Sequence, residues 1–460
     1  MKKINDYQGK KILVLGTGMS GINAAKLLLK LGAQVTLSDN QPQAKLPKAS
    51  HLAAQHPSIT LLAGHQDPAI LNHHYDLMVK NPGIPYDNPV VQRALAIHLP
   101  ITVEVEIASE VNPGRLICVT GSNGKTTTVM LITRMLNQVQ SKGRAFDAGN
   151  IGISASKTAQ KLTSDDTMVM EISSFMLLGI TQLHPRIAVI TNVKSNHLDY
   201  HKTRANYVRA KMRITKNQTS KDVLVLNYNS PEMRKLAKLS QARVIPFCTH
   251  GETNSGAYEK SGKLYFKGEY IMNASAIKIH GQYNVENALA AIVVAKLNHC
   301  SNQGIRRVLT TFSGASNRNQ YVLTYHNRIF FNDSKSTDID STEAALESFH
   351  HPVILLAGGL DRGYQFNRLV PDLKKFVSGM VTFGQTKNLM ASAARQAGLK
   401  QVKVVDNLDQ AVPVAYQMSS PNCVILLSPA NASWDQYPNF EVRGARYVRD
   451  IKKLINKKAN

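Results

Sequence analysis

A glycine-rich turn carrying Lys125 and Thr126 is the stretch of this chain most able to do chemistry. Val119-Thr120-Gly121-Ser122-Asn123-Gly124-Lys125-Thr126-Thr127 follows an apolar run over 115–119 that reads as a buried strand. It precedes residues 129–136, whose apolar spacing suits a helix. Two glycines let the backbone fold tightly enough to aim several N–H groups at one point. The helix N-terminus adds partial positive charge there, Lys125 adds a full one, and the Thr126 hydroxyl can hold Mg²⁺. That is a phosphate-gathering arrangement. The strict pattern has a further glycine five residues before Gly124, where this chain has Val119, so the loop is a shorter G-x-x-G-K-T-T form. The bland reading is a turn that happens to contain a lysine. Strand, Gly-Lys-Thr and helix agree against it.

A second acid fits the same chemistry. Residues 167–171 read as a strand ending in Glu171, and carboxylates at strand C-termini face the ligand crevice of open α/β sheets. Glu171 is a natural metal anchor beside Thr126. His197 follows another strand, 187–193, and reads either as a Mg²⁺ neighbour or as an ordinary loop histidine. Lys211, in a helix expected over 204–214, is by itself one basic residue among many. Near the N-terminus, Gly16-Thr17-Gly18-Met19-Ser20-Gly21 lies between a strand and a helical run over 22–31, with Asp39 closing the next strand. This is a dinucleotide-type fingerprint with a phosphate expected on the helix N-terminus, and it does not separate NAD from a UDP-sugar.

The elements that must position these groups alternate strand and helix along the whole chain, which predicts parallel α/β sheets in three domains. A length of 460 residues agrees with three domains of about 150 each. Residues 101–106 read as a strand and 109–115 as a hinge into the central domain. Residues 280–287 cap a long apolar helix over 288–297, and 328–337 run from a strand into a polar turn. The four cysteines are scattered with no C-x-x-C pair, which argues against disulfides and zinc and fits a reducing compartment. No stretch of 18 or more apolar residues exists, so no membrane span is expected, and the short apolar run near the start is no signal peptide. The protein is therefore expected to be cytoplasmic. The formal charge of +24 raises nucleic acid as a partner. The basic residues are spread, without aromatic interleaving or an arginine-rich arm, so no nucleic-acid function is expected.

Taken together these residues resemble the Mur ligase family over essentially the whole chain. The 121–127 loop is similar to the family's phosphate-binding loop, and Glu171-Ile172-Ser173-Ser174-Phe175 to its metal-binding acid segment. Asn332-Asp333-Ser334-Lys335 and Gly358-Gly359-Leu360-Asp361-Arg362-Gly363 resemble its C-terminal signatures. Ser428-Pro429-Ala430, Ala432-Ser433-Trp434-Asp435-Gln436-Tyr437, Asn439-Phe440-Glu441 and Arg443-Gly444 point to the member that adds D-glutamate, as does Lys80-Asn81-Pro82-Gly83-Ile84-Pro85.

The resemblance implies an ATP-dependent carbon–nitrogen ligase in peptidoglycan precursor synthesis. It would join D-glutamate to UDP-N-acetylmuramoyl-L-alanine through an acyl phosphate, acting as a monomer. It implies a Rossmann-like UDP-substrate domain over 1–108, a central P-loop ATPase-type domain over 109–313, and a Rossmann-like C-terminal domain over 314–460 for ATP and D-glutamate. Gly121, Ser122, Asn123, Gly124, Lys125, Thr126 and Thr127 would hold phosphates. Thr126 and Glu171 would bind one Mg²⁺, and His197 with a carbamylated Lys211 a second. Asn284, Asn287 and Arg318 would contact the nucleotide, Asp333 the ribose, and Lys335 the transferring phosphate. Met19, Ser20, Gly21 and Asn40 would take UDP and Asn150 the muramoyl part. Thr337, Arg362, Ser433 and Phe440 would line the D-glutamate pocket. With these groups shared between domains, closure is expected to precede chemistry.

Five positions depart from the family pattern: Asn196 and Tyr283 at an Asp and a His, Asn317 at a His, Met176 at a Gln, and Asn431 at a small residue or Cys. The alternative expectation they raise is a Mur-ligase-like nucleotide-binding protein with weakened or altered catalysis. The set Lys125, Thr126, Glu171, His197, Lys211, Asp333 and Lys335 is intact and favours a working enzyme.

Overall fold

Fully apolar strands bounded by glycine turns should pair in parallel with helices on both faces. In the computed structural model, which describes residues 1–64, 66–139, 142–194, 197–279, 281–349, 351–363 and 365–459, they largely do. The chain divides into two compact units, residues 1–276 with 285–310 and residues 277–284 with 311–460.

The first unit holds two sheets. The smaller runs Ile59–Ala63, Gln34–Asp39, Lys11–Leu15, Leu77–Lys80, Ile101–Thr102, all parallel. The strand order reverses between Lys11–Leu15 and Leu77–Lys80, the switch point at which such sheets bind ligands. The fingerprint loop sits there and enters the helix Met19–Lys30. Gly21 has to be glycine, because a Cβ there would come within 1.9 Å of the Gly16 carbonyl oxygen.

Residues 101–106 do not form the strand expected of them. Only Ile101–Thr102 pairs, and Glu104–Val111 is a helix. Alternation suggested a strand, but tertiary partners decide here: both carboxylates are buried. Glu104 accepts from Ser154 Oγ at 2.7 Å and Ser156 N at 2.6 Å, at the start of the helix Ala155–Ala159. Glu106 accepts from four donors of Thr181, Gln182 and Leu183. The hinge shrinks accordingly to Asn112-Pro113-Gly114, since the helix runs on through Val111.

The larger sheet has nine strands, with Arg115–Thr120 between Ile187–Ile190 and Thr167–Glu171. The phosphate-type loop therefore sits at the sheet's C-terminal edge on an interior strand, with two strands to one side and six to the other. The expectation of parallel strands throughout fails at the far side, where Ala257–Lys260, Lys263–Phe266 and Glu269–Asn273 are antiparallel neighbours. The links are two-residue turns, Ser261-Gly262 and Lys267-Gly268, with positive φ at all four residues. Such turns make hairpins and leave no room for a crossover helix.

The second unit has one six-stranded sheet: Gln320–Tyr325, Arg328–Asn332, Val424–Leu427, Val353–Gly358, Val377–Phe383, Val402–Val404. Its first pair is an antiparallel hairpin through His326 and Asn327, both at positive φ, and the rest is parallel. The helices Leu408–Met418 and Phe440–Ala459 cover one face, burying Tyr416, Tyr447 and Ile451. All four cysteines are buried and free. Among the described residues, no helix is long and apolar enough to cross a membrane.

Candidate functional site

The loop after Arg115–Thr120 closes through Gly121 at φ 153° and Gly124 at φ 82°, and the helix Lys125–Leu136 begins at once. Only glycine suits position 124: its φ is left-handed, and a Cβ would lie 2.1 Å from Asn287 Oδ1. A Cβ on Gly121 would strike Thr191 Oγ1 at 1.9 Å. The loop is braced from the neighbouring strand end. Asn192 Oδ1 accepts from Asn123 N at 3.0 Å, and Thr191 Oγ1 donates to Asn123 O at 2.6 Å. Lys125 Nζ donates to Gly121 O at 2.9 Å and Ser122 O at 2.8 Å, so the ammonium lies over the loop it belongs to.

Glu171 is almost wholly buried at the end of its strand. It accepts from Thr126 Oγ1 at 2.5 Å and from Asn150 Nδ2 at 3.0 Å. A hydroxyl facing a carboxylate beside a phosphate-type loop is an oxygen donor pair suited to a hard divalent cation. Lys211, 2% exposed, donates to Gly121 O at 2.7 Å. Burial and then the charge of Lys125 push its pKa well below the usual lysine value, against the pull of Glu171. Lys211 Nζ lies 4.5 Å from the centre of the Tyr207 ring, and the His197 ring is 6.4 Å from the same ring. His197 holds a left-handed φ of 55° and packs on Phe175 at 4.9 Å. Thr126, Glu171, Asn150 and Lys211 thus converge on one loop, and His197 reaches it through aromatic neighbours. Among the described residues no three His, Cys, Asp or Glu side chains cluster as a ready metal site.

At the fingerprint, Asp39 accepts from Thr17 N at 2.8 Å, Thr17 Oγ1 at 2.7 Å and Gln41 N at 3.0 Å. Burial opposes ionisation, but these hydrogen bonds win and lower its pKa. The acid therefore holds the glycine loop. Met19 and Asn40 are exposed at the loop's rim, Ser20 is half-buried, and Gly21 is buried beneath it.

In the second unit, Asp333 is buried at the end of Arg328–Asn332. It accepts from Asn319 N at 2.9 Å, from Ser428 Oγ at 2.8 Å and from Ser336 Oγ. Burial raises its pKa to about 6 against those bonds and the nearby Arg318. Lys335 Nζ is 5.2 Å from the Phe440 ring centre, and the Arg362 guanidinium 4.9 Å from that of Trp434. Ser433 is buried with no hydrogen-bond partner for its hydroxyl among the described residues, and Thr337 is half-buried nearby in sequence to Lys335. Asn284 is buried in this unit, while Asn287 belongs to the first, where its Oδ1 accepts from Thr128 Oγ1 at 3.3 Å.

Sequence reasoning placed Arg443 in a motif without giving it a role, and gave none to Glu286, Asn227 or Asn192. Arg443 is fully buried, donating to Ser334 Oγ and to the carbonyls of Ser334 and Asn431. Glu286 accepts from Asn227 and Asn229, both at 2.9 Å, and Asn227 in turn donates to Thr191 O, behind the phosphate-type loop. Asn192 carried a usable signal, since it follows a core strand as Glu171 ends one. Asn317 is at φ 60°, which asparagine tolerates, and accepts from Asn332 Nδ2 at 2.9 Å. Tyr283 is hydrogen-bonded toward Asn319 at 3.5 Å, Met176 is buried, and Asn431 donates to Pro429 O. Asn196 lies outside the described residues.

Three family models match the chain: the Mur ligase MurD-like N-terminal domain over residues 10–103, the Mur ligase middle domain over 119–295, and the Mur ligase glutamate ligase domain over 317–431. The chain is 54% identical to a UDP-N-acetylmuramoylalanine–D-glutamate ligase of Lactiplantibacillus plantarum over 99% of both chains. It is 51% identical to one of Limosilactobacillus reuteri over 100% of both. Among solved structures it is similar in fold to MurF ligase of Thermotoga maritima in complex with ADP, with TM-score 0.58, 15% identity and coverage of 99% and 98%. It is likewise similar to UDP-N-acetylmuramate-alanine ligase MurC of Thermotoga maritima, with TM-score 0.56, 18% identity and coverage of 96% and 99%.

Proposed function

The chain belongs to the Mur ligase family, and from that premise we propose that it joins D-glutamate to UDP-N-acetylmuramoyl-L-alanine at the expense of ATP, in peptidoglycan precursor synthesis. What carries the reading is the convergence of Lys125, Thr126, Glu171 and Lys211 on one glycine loop, in a chain 54% identical to a D-glutamate ligase.

The loop amides and Lys125 gather the triphosphate, whose negative charges would otherwise repel an anionic nucleophile. A carboxylate oxygen of the sugar nucleotide attacks the γ-phosphorus, and the bond to ADP breaks. The resulting acyl phosphate is attacked at its acyl carbon by the amine of D-glutamate. The amide bond forms, phosphate leaves, and the amine's proton is released. Thr126 and Glu171 would hold Mg²⁺, and His197 with carbamylated Lys211 a second ion; bound there, the ions would neutralise charge developing on the phosphoryl oxygens. Lys211 suits carbamylation, because its burial favours the neutral amine that adds CO₂.

We assign UDP to the fingerprint loop with Met19, Ser20, Gly21 and Asn40, and the muramoyl part to Asn150. Asn284, Asn287, Arg318, Asp333 and Lys335 are assigned to ATP, and Thr337, Arg362, Ser433 and Phe440 to D-glutamate. The three domains are placed at 1–108, 109–313 and 314–460. The protein acts as a monomer in the cytoplasm.

The test is release of ADP and phosphate with UDP-N-acetylmuramoyl-L-alanine, comparing D-glutamate with L-glutamate. Turnover with D-glutamate alone is expected. Lys125→Ala should lower it by about a hundredfold or more. Undiminished turnover in that variant would sink the assignment. Tight ATP binding without turnover by the unaltered protein would favour the weakened-catalysis reading that Tyr283 and Asn317 raise.

A further inference from the structure

Lys80 ends the strand Leu77–Lys80 at the switch point of the N-terminal sheet, and its side chain is completely buried. Among the described residues no carboxylate forms an ion pair with it. Its ammonium donates instead to backbone carbonyls of its own turn: Ile84 O at 2.5 Å, Asn81 O at 3.3 Å and, marginally, Pro82 O at 3.5 Å. It also lies 4.8 Å from the centre of the Tyr86 ring. A buried cation without an anionic partner is expensive, and burial lowers its pKa to about 8. A methionine or leucine would fill the space without that cost, so the charge needs a reason.

Two neighbours suggest one. The turn that Lys80 holds forms a wall of the fingerprint loop. A Cβ on Gly16 would meet Asn81 Cβ at 2.9 Å and Ile84 Cδ1 at 3.1 Å, and a Cβ on Gly18 would meet Asn81 Nδ2 at 2.8 Å. Asn81 N also donates to Leu15 O at 2.9 Å. From the other side comes Tyr200, which precedes His201 in the central domain. Its hydroxyl donates to the same Ile84 carbonyl at 3.3 Å and lies 3.5 Å from Lys80 Nζ. The Tyr200 ring meets Phe175 edge-on at 4.6 Å, and Phe175 stacks on His201 at 5.4 Å. His201 packs on Tyr207 at 5.2 Å, and the Tyr207 hydroxyl lies 2.9 Å from Ser122 Oγ, inside the phosphate-binding loop. A continuous set of contacts thus joins one glycine loop to the other, with the Ile84 carbonyl as its narrowest point.

We propose that Lys80 and Tyr200 are positioning residues for the sugar-nucleotide substrate: by clamping the Ile84 carbonyl they hold the 81–84 turn against the fingerprint loop and tie that loop to the aromatic bed beneath Ser122. The inference rests on the sugar nucleotide occupying the fingerprint loop, as assigned above. Neither residue touches substrate in this scheme. Each sets where the loop stands relative to the phosphate-binding loop, and so where the substrate carboxylate is presented.

The test is equilibrium binding of UDP-N-acetylmuramoyl-L-alanine, and separately of ATP, to the full chain by calorimetry, with turnover measured alongside. Lys80→Met should raise the Kd for the sugar nucleotide about tenfold or more, and Tyr200→Phe about threefold. The Kd for ATP alone should stay within about twofold in both. Because both act on one carbonyl, the double variant should bind no more than about twofold more weakly than Lys80→Met. Unchanged sugar-nucleotide affinity in the single variants, fully independent effects in the double variant, or an equal loss of ATP affinity would overturn the proposal. If Lys80→Met does not fold, Tyr200→Phe decides, since it removes one oxygen and keeps the ring on Phe175. Wild-type protein that binds the sugar nucleotide but releases no phosphate would refute the ligase reading and leave this one standing. Wild-type protein that does not bind it would refute this one.

Discussion

Under the carbamylation proposed for Lys211, its environment turns a lysine from an obstacle into an asset. An ammonium beside Thr126 and Glu171 would repel a cation. Burial, and then the charge of Lys125, disfavour that ammonium relative to the neutral amine, against the pull of Glu171. Arginine cannot follow it, being always charged. Lys211→Arg should therefore lose about a hundredfold or more in turnover, and bicarbonate should not restore it. The unaltered enzyme should slow in CO₂-depleted buffer and recover when bicarbonate is returned. Full activity of Lys211→Arg would rule the carbamate out. The departures at 317 and 431 look different at this scale. Asn317 occupies a left-handed backbone and accepts from Asn332, and a Cβ on Gly444 would meet its Oδ1 at 1.8 Å. Asn431 bridges to Pro429 while its carbonyl accepts from the buried Arg443. Both are built into the second unit's packing.

Among elements, the helix Glu104–Val111 is the one on which the N-terminal and central sheets of the first unit depend together. Glu106 satisfies the amides of Thr181, Gln182 and Leu183 and the Thr181 hydroxyl. Removing a buried acceptor leaves donors unpaired, and Glu106→Ala should destabilise the first unit by about 3 kcal/mol in urea unfolding. A shift below about 0.5 kcal/mol would mean water replaces it. A second anchor lies at the start of the strand Val223–Asn227. Burial opposes the charge of Asp222, but hydrogen bonds from His184, Thr219 and Arg186 outweigh it and hold its pKa at about 2. A folded pKa below the unfolded value of about 3.9 means stability that is present above pH 4 and lost as pH falls toward 2. Asp222→Asn should thus cost about 2 kcal/mol at pH 7, and the gap from wild type should narrow at pH 3. A gap independent of pH would point to packing alone.

Over the whole molecule, 55 basic residues face 31 acidic ones. All three substrates of the proposed reaction are anions, and a positive field raises their local concentration in a salt-dependent way. The KM values for ATP and for the sugar nucleotide should rise severalfold between about 0.05 and 0.3 M NaCl while kcat holds. Flat KM values would detach the charge from substrate capture. Retention on DNA at physiological salt would instead return nucleic acid as a partner.

The glycine-rich loop over 121–127 and its place between strand and helix were legible in the sequence because their constraints are local. Gly121, Gly124, Lys125 and Thr126 are neighbours along the chain, and strand and helix follow from short-range pattern. Glu171 could be found too, since a parallel sheet puts strand ends on one edge. The 101–106 segment was misread, because its alternation matches a strand and only Ser154 and Thr181, distant along the chain, supply partners for the carboxylates on the helix. The hairpins at 261–262 and 267–268 hid in turn chemistry that the general strand rhythm drowned out. Lys211, Lys80 and Tyr200 were the least visible of all: a basic or aromatic side chain acquires its role from what buries it, and only the folded chain brings Gly121, Ile84 and Phe175 to them.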